Sequence, residues 1–315
     1  MDIMQIQQKS KSQRLLLRCG KCLKAGTGMA FLVPAFTILL FLFILPIYYL
    51  NTQEKRKTRN VLFGVTLSHK AKSLLAEVEQ IFDKEVREEW LKEDDGLASM
   101  SGNSKVDDDG VPIIWINPAY GRKIDVIVHE LYHFKLRAQG YPVIQWLYPK
   151  YMDAEANGAI LNQLNQQMHD PILHYIFYHE ARAWGIDPGE TFEGRTKRAL
   201  EDNSLATIFT NMDKEAIGLY YFKIRLEVND PVLLQLLEKL LERKQKQSGI
   251  EFGKRLSQIV IGSNPQSPEQ DIKTLVDCLN ALYEGKFHFK LHSWKFRQLG
   301  KHRQQLAPIE MQPLW

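Results

Sequence analysis

The chain has 315 residues, of which 44% are hydrophobic and 25% are charged, and this is the composition of a globular protein. It excludes a disordered chain and a collagen-like chain, and three cysteines are too few for a disulfide framework. Residues 1–28 hold six basic residues and one acidic residue, whereas the rest of the chain holds 35 basic and 36 acidic residues. The main part of the chain therefore lacks the charge of a nucleic-acid-binding surface, and we expect no nucleic acid partner.

The first predicted element is a transmembrane helix that follows the basic N-terminal tail, residues 1–28. The segment Met29–Leu50 carries no charged residue. As an α-helix it is about 33 Å long, which is enough to cross a hydrocarbon core of about 30 Å. A signal peptide fits less well, because its apolar run is usually about 7–15 residues and no small-residue cleavage site follows Leu50. We therefore expect a single-pass membrane protein whose residues 29–50 contact the lipid bilayer.

The charges on the two sides of this span determine its orientation only weakly. Six basic residues precede the span, and Lys55, Arg56, Lys57 and Arg59 follow it. The positive-inside rule then slightly favours a main domain outside the cytoplasm. Residues 51–67 are predicted to form a juxtamembrane linker, and residues 68–315 the main domain.

The main domain is predicted to have an α+β fold that is mostly helical, with a small sheet. Apolar spacing predicts a helix over Ser68–Glu93, and a polar turn region follows it. The β-branched and aromatic residues of Val111–Ile116 predict a strand, which Pro112 places at the edge of its sheet. A helix follows from about Arg122 to Gln139, because Gly140 and Pro142 end it.

The rest of the domain is predicted to be helical up to a late strand. Asp-Pro pairs at 170–171 and 230–231 are typical of an N-cap and the first helical residue. The predicted elements are the helices Asp153–Met168, Pro171–Trp184, Met212–Leu226, Pro231–Lys246, Glu251–Ile261 and Glu269–Tyr283, and the strand Lys286–Trp294.

The helix after the first predicted strand contains the motif His129-Glu130-Leu131-Tyr132-His133. Residues four positions apart differ by about 40° around a helix, so both histidines project from one face. Two imidazoles in this arrangement are suitable ligands for one Zn²⁺ ion. Glu130 points about 100° away from His129, where it can act on a water rather than as a ligand on that face. The motif predicts a zinc site with Glu130 as the general base.

This strand, loop and H-E-x-x-H helix resemble the zincin metallopeptidases, in which an edge strand borders the cleft and the motif helix forms its floor. The metzincin continuation is absent, because Leu136 and Gln139 stand in place of its glycine and third histidine. The resemblance therefore implies a third ligand from another helix, as in the gluzincins, where a downstream helix supplies a carboxylate.

The segment 151–158 is similar to the E-x-x-A-[DN] helix of minimal gluzincins, which include the phage-repressor-cleaving group and the membrane-bound heat-shock and CAAX-processing peptidases. This resemblance puts Asp153 in the position of the ligand and Asn157 in a supporting position beside a ligand histidine. Glutamate would be expected at the ligand position, and Glu155 is favoured over Asp153 because its side chain reaches further. The remaining alternatives for the third ligand are Asp170, Glu180 and Glu190.

Several other polar residues near the motif have possible roles. Asp125 lies four residues before His129, where it either contacts that imidazole or pairs with a nearby cation at the surface. His169, His174 and His179 are five residues apart, so they do not form one ligand face. A hydrogen-bond donor to the tetrahedral intermediate is expected in such an enzyme, and the candidates on this helix are Tyr175, Tyr178 and His179.

These patterns predict a membrane-anchored zinc metallopeptidase that acts on a peptide or protein substrate. Zn²⁺ would be held by His129, His133 and a downstream carboxylate, and Glu130 would move the proton. The predicted edge strand Ile113–Ile116 would bind an extended substrate by strand addition. The alternative is a non-catalytic membrane-anchored scaffold or binding module that retains a zincin-like fold.

Overall fold

The computed structural model describes residues 59–92, 100–120, 123–149, 158–283, 287–295 and 305–309. The chain divides into two units, Met1–Thr58 and Arg59–Trp315, and all described residues belong to the second unit. The predicted basic tail and the predicted transmembrane segment, residues 29–50, lie outside the described residues. Of the helices that are described, none is long and apolar enough to cross a membrane.

The described residues are mostly helical and include small sheets, which confirms the α+β prediction. The helices are α1 His69–Phe82, α2 Ile124–Ala138, α3 Gly158–Ala183, α4 Glu190–Glu201, α5 Ser204–Thr210, α6 Lys214–Glu227, α7 Pro231–Arg243, α8 Gln247–Ser263 and α9 Pro268–Tyr283. The strands are β1 Val61–Leu62, β2 Val65–Thr66, β3 Arg87–Trp90, β4 Gly102–Val106, β5 Pro112–Ile116, β6 Val143–Pro149, β7 Phe287–Lys295 and β8 Gln305–Ile309.

The sheet beside the motif helix has the strand order β3-β5-β4, with β3 parallel and β4 antiparallel to β5. The sequence prediction placed Ile113–Ile116 at the edge, and this is wrong because β5 is flanked on both sides. Pro112 is accommodated because it is the first residue of the strand. Among the described strands β4 lies at the edge, although its sequence was predicted to be part of a polar turn region.

Helix α1 is shorter than the predicted helix Ser68–Glu93. It begins after Ser68, whose hydroxyl accepts a hydrogen bond from the Ala71 amide, and it ends at Phe82. Asp83 follows in the left-handed conformation, with φ 49°. The next residues form β3 and pair with β5, so the apolar residues beyond Phe82 serve a strand and not a helix.

A short hairpin of β1 and β2 belongs to the same folded unit. Leu62, Phe63 and Leu67 are buried in the core that α1 and α2 share. The carboxylate of Glu88 in β3 accepts hydrogen bonds from the Phe63 amide and from Arg59. Residues 59–67, which the sequence analysis assigned to the linker, therefore contribute to the fold.

Helix α3 runs through Pro171 without interruption, so the two helices predicted on either side of this residue are one. An internal proline removes a hydrogen bond and costs a helix about 3 kcal/mol. The helix continues because Met168, Ile172 and Leu173, which surround the proline, are buried against other helices. The Asp-Pro pair at 230–231, by contrast, begins α7 as predicted, with Asp230 as its N-cap.

Helix α6 packs closely against α8 and α3. A Cβ on Gly253 of α8 would lie 2.5 Å from the Gly218 carbonyl oxygen of α6, so this contact requires glycine. Leu219, Phe222 and Leu226 of α6 also share a core with Met168 and Ile172 of α3. This packing brings the C-terminal end of α6 to the part of α3 that faces α2.

Candidate metal centre

Three histidines from two helices converge between α2 and α3. They are His129 and His133 of α2 and His174 of α3. One ring nitrogen from each lies within 4.8 Å of the other two, and within the described residues this is the only such group of His, Cys, Asp or Glu side chains. This group can hold a metal ion.

The distances between the converging nitrogens are suited to a small tetrahedral ion. Nε2 of His133 lies 3.1 Å from Nε2 of His129 and 3.3 Å from Nε2 of His174. Two nitrogens that each lie about 2.0–2.1 Å from a tetrahedral zinc ion are about 3.3–3.4 Å apart. Two of the three nitrogen pairs therefore lie close to the spacing of ligands on a tetrahedral zinc ion.

The opposite nitrogens of two of the rings are held by neighbouring side chains. Nδ1 of His174 lies 2.7 Å from the Glu227 carboxylate, which can only accept, so Nδ1 donates and Nε2 presents its lone pair. Nδ1 of His129 lies 3.3 Å from the Tyr178 hydroxyl, and the same ring donates to the Pro188 carbonyl oxygen. Contacts of this kind fix the orientation of a ligand imidazole and raise its basicity.

The electrostatic surroundings keep the two motif histidines neutral. Burial lowers the pKa of His129 well below its usual 6.5, and the nearby His174 and Lys223 lower it further. Burial also lowers the pKa of His133, with additional effects from His129 and His174. Because a metal binds the neutral imidazole, both rings are in the ligand form at neutral pH.

Glu227 is ionised in spite of being buried. Burial acts to raise the pKa of this carboxyl, but Lys223 and His174 outweigh that effect and the pKa is lowered. Nζ of Lys223 lies 3.6 Å from Oε1 of Glu227, and Arg182 donates to the Glu227 backbone oxygen at 2.6 Å. A negative charge is therefore held directly behind His174.

Glu130 lies beside the histidines against the edge strand β4. Its side chain is buried, and burial raises its pKa to about 7, with the Ser104 hydroxyl and Arg137 acting in the opposite direction. Gly102 leaves the room that this side chain occupies, because a Cβ there would lie 2.8 Å from Oε1 of Glu130. A carboxyl group with a pKa near 7 can both accept and return a proton at neutral pH.

The three histidines and Glu130 line a cavity of about 280 Å³. One wall is formed by Gly102, Asn103 and Ser104 of β4. Another wall comes from α4 and α6 and includes the residues Thr191, Phe192, Arg195, Lys223 and Glu227. The site is therefore accessible from a space that a small group or a peptide segment can enter.

Of the carboxylates predicted as third ligand, none that the structure describes is part of the group of converging ligand atoms. Asp153 and Glu155 lie outside the described residues. Asp170 lines the cavity but is not part of the group of converging ligand atoms. Glu180 is exposed and pairs with Lys135 at 3.4 Å, and Glu190 is exposed at the start of α4.

Asp125 has a different role from the two that its sequence position indicated. It is buried, and its carboxylate accepts hydrogen bonds from the Thr191 amide at 3.0 Å and the Thr191 hydroxyl at 2.5 Å. Thr191 lies in the first turn of α4, a helix that the sequence analysis did not predict. Asp125 therefore attaches α4 to the motif helix and fixes the wall of the cavity.

The sequence did not identify His174 as a ligand, because the five-residue spacing of His169, His174 and His179 does not place the three on one face of a helix. That reasoning holds for His179, which is exposed, while His169 lines the cavity without joining the converging nitrogens. One signal was present in the sequence: His174 has the apolar neighbours Leu173 and Phe177, which indicate a buried position. A buried histidine usually has a specific partner. Tyr178, one of the predicted hydrogen-bond donors, contacts His129, while His179 does not reach the cavity lining.

The group that the structure brings together is thus the H-E-x-x-H motif of α2, one histidine of α3 and the carboxylate of α6 behind it. The resemblance to zincins depends on the motif alone, and His174 lies outside that motif. No protein-family model, curated protein or solved structure matches this chain significantly.

Proposed function

We propose that this protein is a zinc metallopeptidase with His129, His133 and His174 as the metal ligands. The observation that carries the proposal is the convergence of three Nε2 atoms beside a buried glutamate. When bound, zinc supplies a Lewis acid that polarises a carbonyl group and lowers the pKa of water toward about 7. His174 replaces the carboxylate ligand that the gluzincin resemblance implied.

Glu130 is the proposed general base. It accepts a proton from the water whose oxygen attacks the scissile carbonyl carbon, and it passes that proton to the amine nitrogen as the C–N bond breaks. Its pKa of about 7 suits both steps, and the Ser104 hydroxyl and Arg137 hold the ionised form. Tyr178, which burial keeps protonated by raising its pKa well above 10, supports His129 from the side opposite its metal-binding nitrogen.

The proposed site for an extended substrate, which would bind by strand addition, is β4 and not β5, the strand for which the sequence predicted this role. Gly102, Asn103 and Ser104 line the cavity from the edge position of the sheet, next to Glu130. An extended peptide that pairs with such a strand is bound through its main chain. Attachment to a membrane through residues 29–50 is a further part of the proposal, and it rests on the sequence.

The substitution Glu130→Gln tests the chemistry separately from the metal. It should lower the rate of hydrolysis of an unstructured protein by about 10²–10⁴-fold, because the amide cannot accept the proton. Zinc content should stay at the level of the wild type, because Glu130 is not a ligand. Glu180→Gln, an exposed change on α3, is the control and should leave both unchanged. Full activity of the Glu130→Gln protein would show that Glu130 is not the base, and zinc binding without activity in the wild type would favour the scaffold alternative.

A further inference from the structure

Two cationic side chains share one aromatic ring on the wall of the cavity formed by α4 and α6. Nζ of Lys223 lies 5.1 Å from the centre of the Phe192 ring, and Cζ of Arg195 lies 5.8 Å from the same centre. All three residues line the cavity that contains the histidines. We call Lys223, Phe192 and Arg195 the basic wall.

Lys223 is close to the metal centre and is only partly engaged. Its one ion pair among the described residues is with Glu227, at 3.6 Å, and the same carboxylate oxygen is bound more closely by His174, at 2.7 Å. An ammonium group has three hydrogen-bond donors, and its side chain retains 23% exposure. Donors are therefore left for a group that enters the cavity.

Two other basic side chains of the cavity lining, Arg137 and His169, are more fully compensated than Lys223. Arg137 donates to the Ser104 backbone oxygen at 2.9 Å, and the charges of Glu130 and Asp170 act on it. His169 lies 3.1 Å from the Asp271 carboxylate. Lys223, which shares its carboxylate partner with His174, is thus less fully compensated than Arg137 and His169.

The proposed function strengthens this charge imbalance. A divalent ion held by the three imidazoles adds two positive charges near Lys223, while Lys223 and His174 share the carboxylate of Glu227. A substrate group that enters between the ion and the basic wall therefore meets a positive potential. Such a potential favours an anion with two oxygens, which both an ammonium and a guanidinium can bind.

We propose that the basic wall binds a carboxylate of the substrate, so that the enzyme prefers peptides with a negative charge near the scissile bond. Nζ of Lys223 lies 3.6 Å from Oε1 of Glu227, and the same oxygen lies 2.7 Å from Nδ1 of His174. Nε2, the metal-binding nitrogen of His174, is on the other side of that imidazole ring. The carboxylate then belongs to a residue within about three positions of the reacting carbonyl, because an extended residue spans about 3.3–3.6 Å. It is either the C-terminal carboxylate or an acidic side chain. The inference rests on the proposed function for the position of the scissile bond.

The test measures binding without turnover, using the full-length Glu130→Gln protein loaded with zinc. Three peptides of alanine and phenylalanine are acetylated at the N-terminus and titrated by calorimetry without a label. One has a free C-terminus, one an amidated C-terminus, and one an amidated C-terminus and a single internal glutamate. The proposal predicts that one or both of the charged peptides bind about tenfold or more tightly than the neutral peptide. Preference for the free terminus identifies an exopeptidase subsite, and preference for the glutamate peptide identifies an acidic side-chain subsite.

Substitutions connect this preference to the basic wall. Lys223→Met should remove most of the preference for the charged peptides over the neutral peptide, while Lys223→Arg should retain this preference because the positive charge remains. Lys214→Met is the matched control, since Lys214 lies on the same helix and also over an aromatic ring, Phe252, but outside the cavity lining. If Lys223→Met fails to fold, Arg195→Gln provides the second variant.

Two results would overturn the inference. One is equal affinity for all three peptides, and the other is a charge preference that survives both Lys223→Met and Arg195→Gln in folded protein. Failure of the proposed function is seen separately, as a wild-type protein that binds the peptides but hydrolyses none of them.

Discussion

At the scale of single residues, the site depends on how close Glu130 can come to the edge strand. Gly102 is the residue that this approach requires, since a Cβ there would meet both Oε1 of Glu130 at 2.8 Å and Cγ1 of Val126 at 2.9 Å. Glu130 and Val126 lie one turn apart on α2, so both lie on the side of the helix next to Gly102. The position of the proposed general base is therefore set by a residue of a different element.

The substitution Gly102→Ala should lower peptide hydrolysis about 10- to 100-fold, because it displaces the Glu130 carboxylate by a fraction of an ångström to about 1 Å. Zinc content should not change, since Gly102 does not contact the histidines. Gly194→Ala is the control, because no atom lies within 4 Å of a Cβ at that helical position, and it should leave the activity unchanged. Unchanged hydrolysis by the Gly102→Ala protein would contradict the role given to this contact.

The positions of individual ligands could be predicted from the sequence only where they are local. His129 and His133 are separated by one helical turn, and their spacing alone predicts that they share a face. His174 joins them through the packing of α3 against α2, which no short sequence pattern encodes. The carboxylate of Glu227, 53 residues beyond His174, depends on the packing of a further helix.

At the scale of secondary structure elements, α3 connects the metal centre to the helical part of the domain. His174 faces α2, while His169, on the other side of Pro171, pairs with Asp271 of α9 at 3.1 Å. Both partners of this pair are buried. The pair therefore attaches α3 to α9 next to the cavity.

The His169–Asp271 pair should make stability depend on pH. Burial acts to lower the pKa of His169, but Asp271 outweighs it and the pKa is raised above 6.5. Its contribution to the free energy of unfolding is therefore complete below about pH 6.5 and is lost as pH rises through the raised pKa. In urea unfolding, His169→Gln should destabilise the protein more at about pH 6 than at about pH 9.

The exposed His179 on the same helix provides the control for this measurement. His179→Gln should have the same small effect on unfolding at both pH values. Equal destabilisation by His169→Gln at both pH values would show that the charge of the pair does not contribute to stability.

The helices and strands were predictable where the residues that end an element and the spacing of its apolar residues indicated the same bounds. Helix α2 runs from Ile124 to Ala138 as its flanking residues predict, and Gly140 adopts a left-handed φ of 90° after it. Helix α3 differs from its prediction because an Asp-Pro pair is a start signal only when nothing packs against the preceding turn. Strands β3 and β4 were missed because their residues gain a partner, β5, only in the fold.

At the scale of the whole molecule, the folded unit that carries the site extends to Arg59 on its N-terminal side. The hairpin of β1 and β2 contributes Leu62 and Phe63 to the core around α1 and α2, and Leu67 follows it. These side chains are nearly inaccessible to solvent. The core around α1 and α2 is thus completed by residues that were predicted to lie before the main domain.

Two truncations test this boundary. A fragment of residues 59–315 should unfold with the same free energy as the corresponding part of the full chain. A fragment of residues 68–315 should be less stable by several kcal/mol, because each of the buried side chains Leu62, Phe63 and Leu67 contributes about 1.5–3 kcal/mol. Equal stability of the two fragments in urea unfolding would mean that the hairpin is not part of the core.

The fold brings three histidines of two helices together at the candidate metal centre, and the proposed function depends most on the third of them, His174. The most direct test is the zinc content of the purified full-length chain, measured by mass spectrometry, together with that of His174→Ala and of His179→Ala. We predict one zinc per chain in the wild type and in His179→Ala, and a loss of most of the zinc in His174→Ala. A His174→Ala protein that keeps its full zinc content, or a wild-type protein that binds no zinc, would contradict the account.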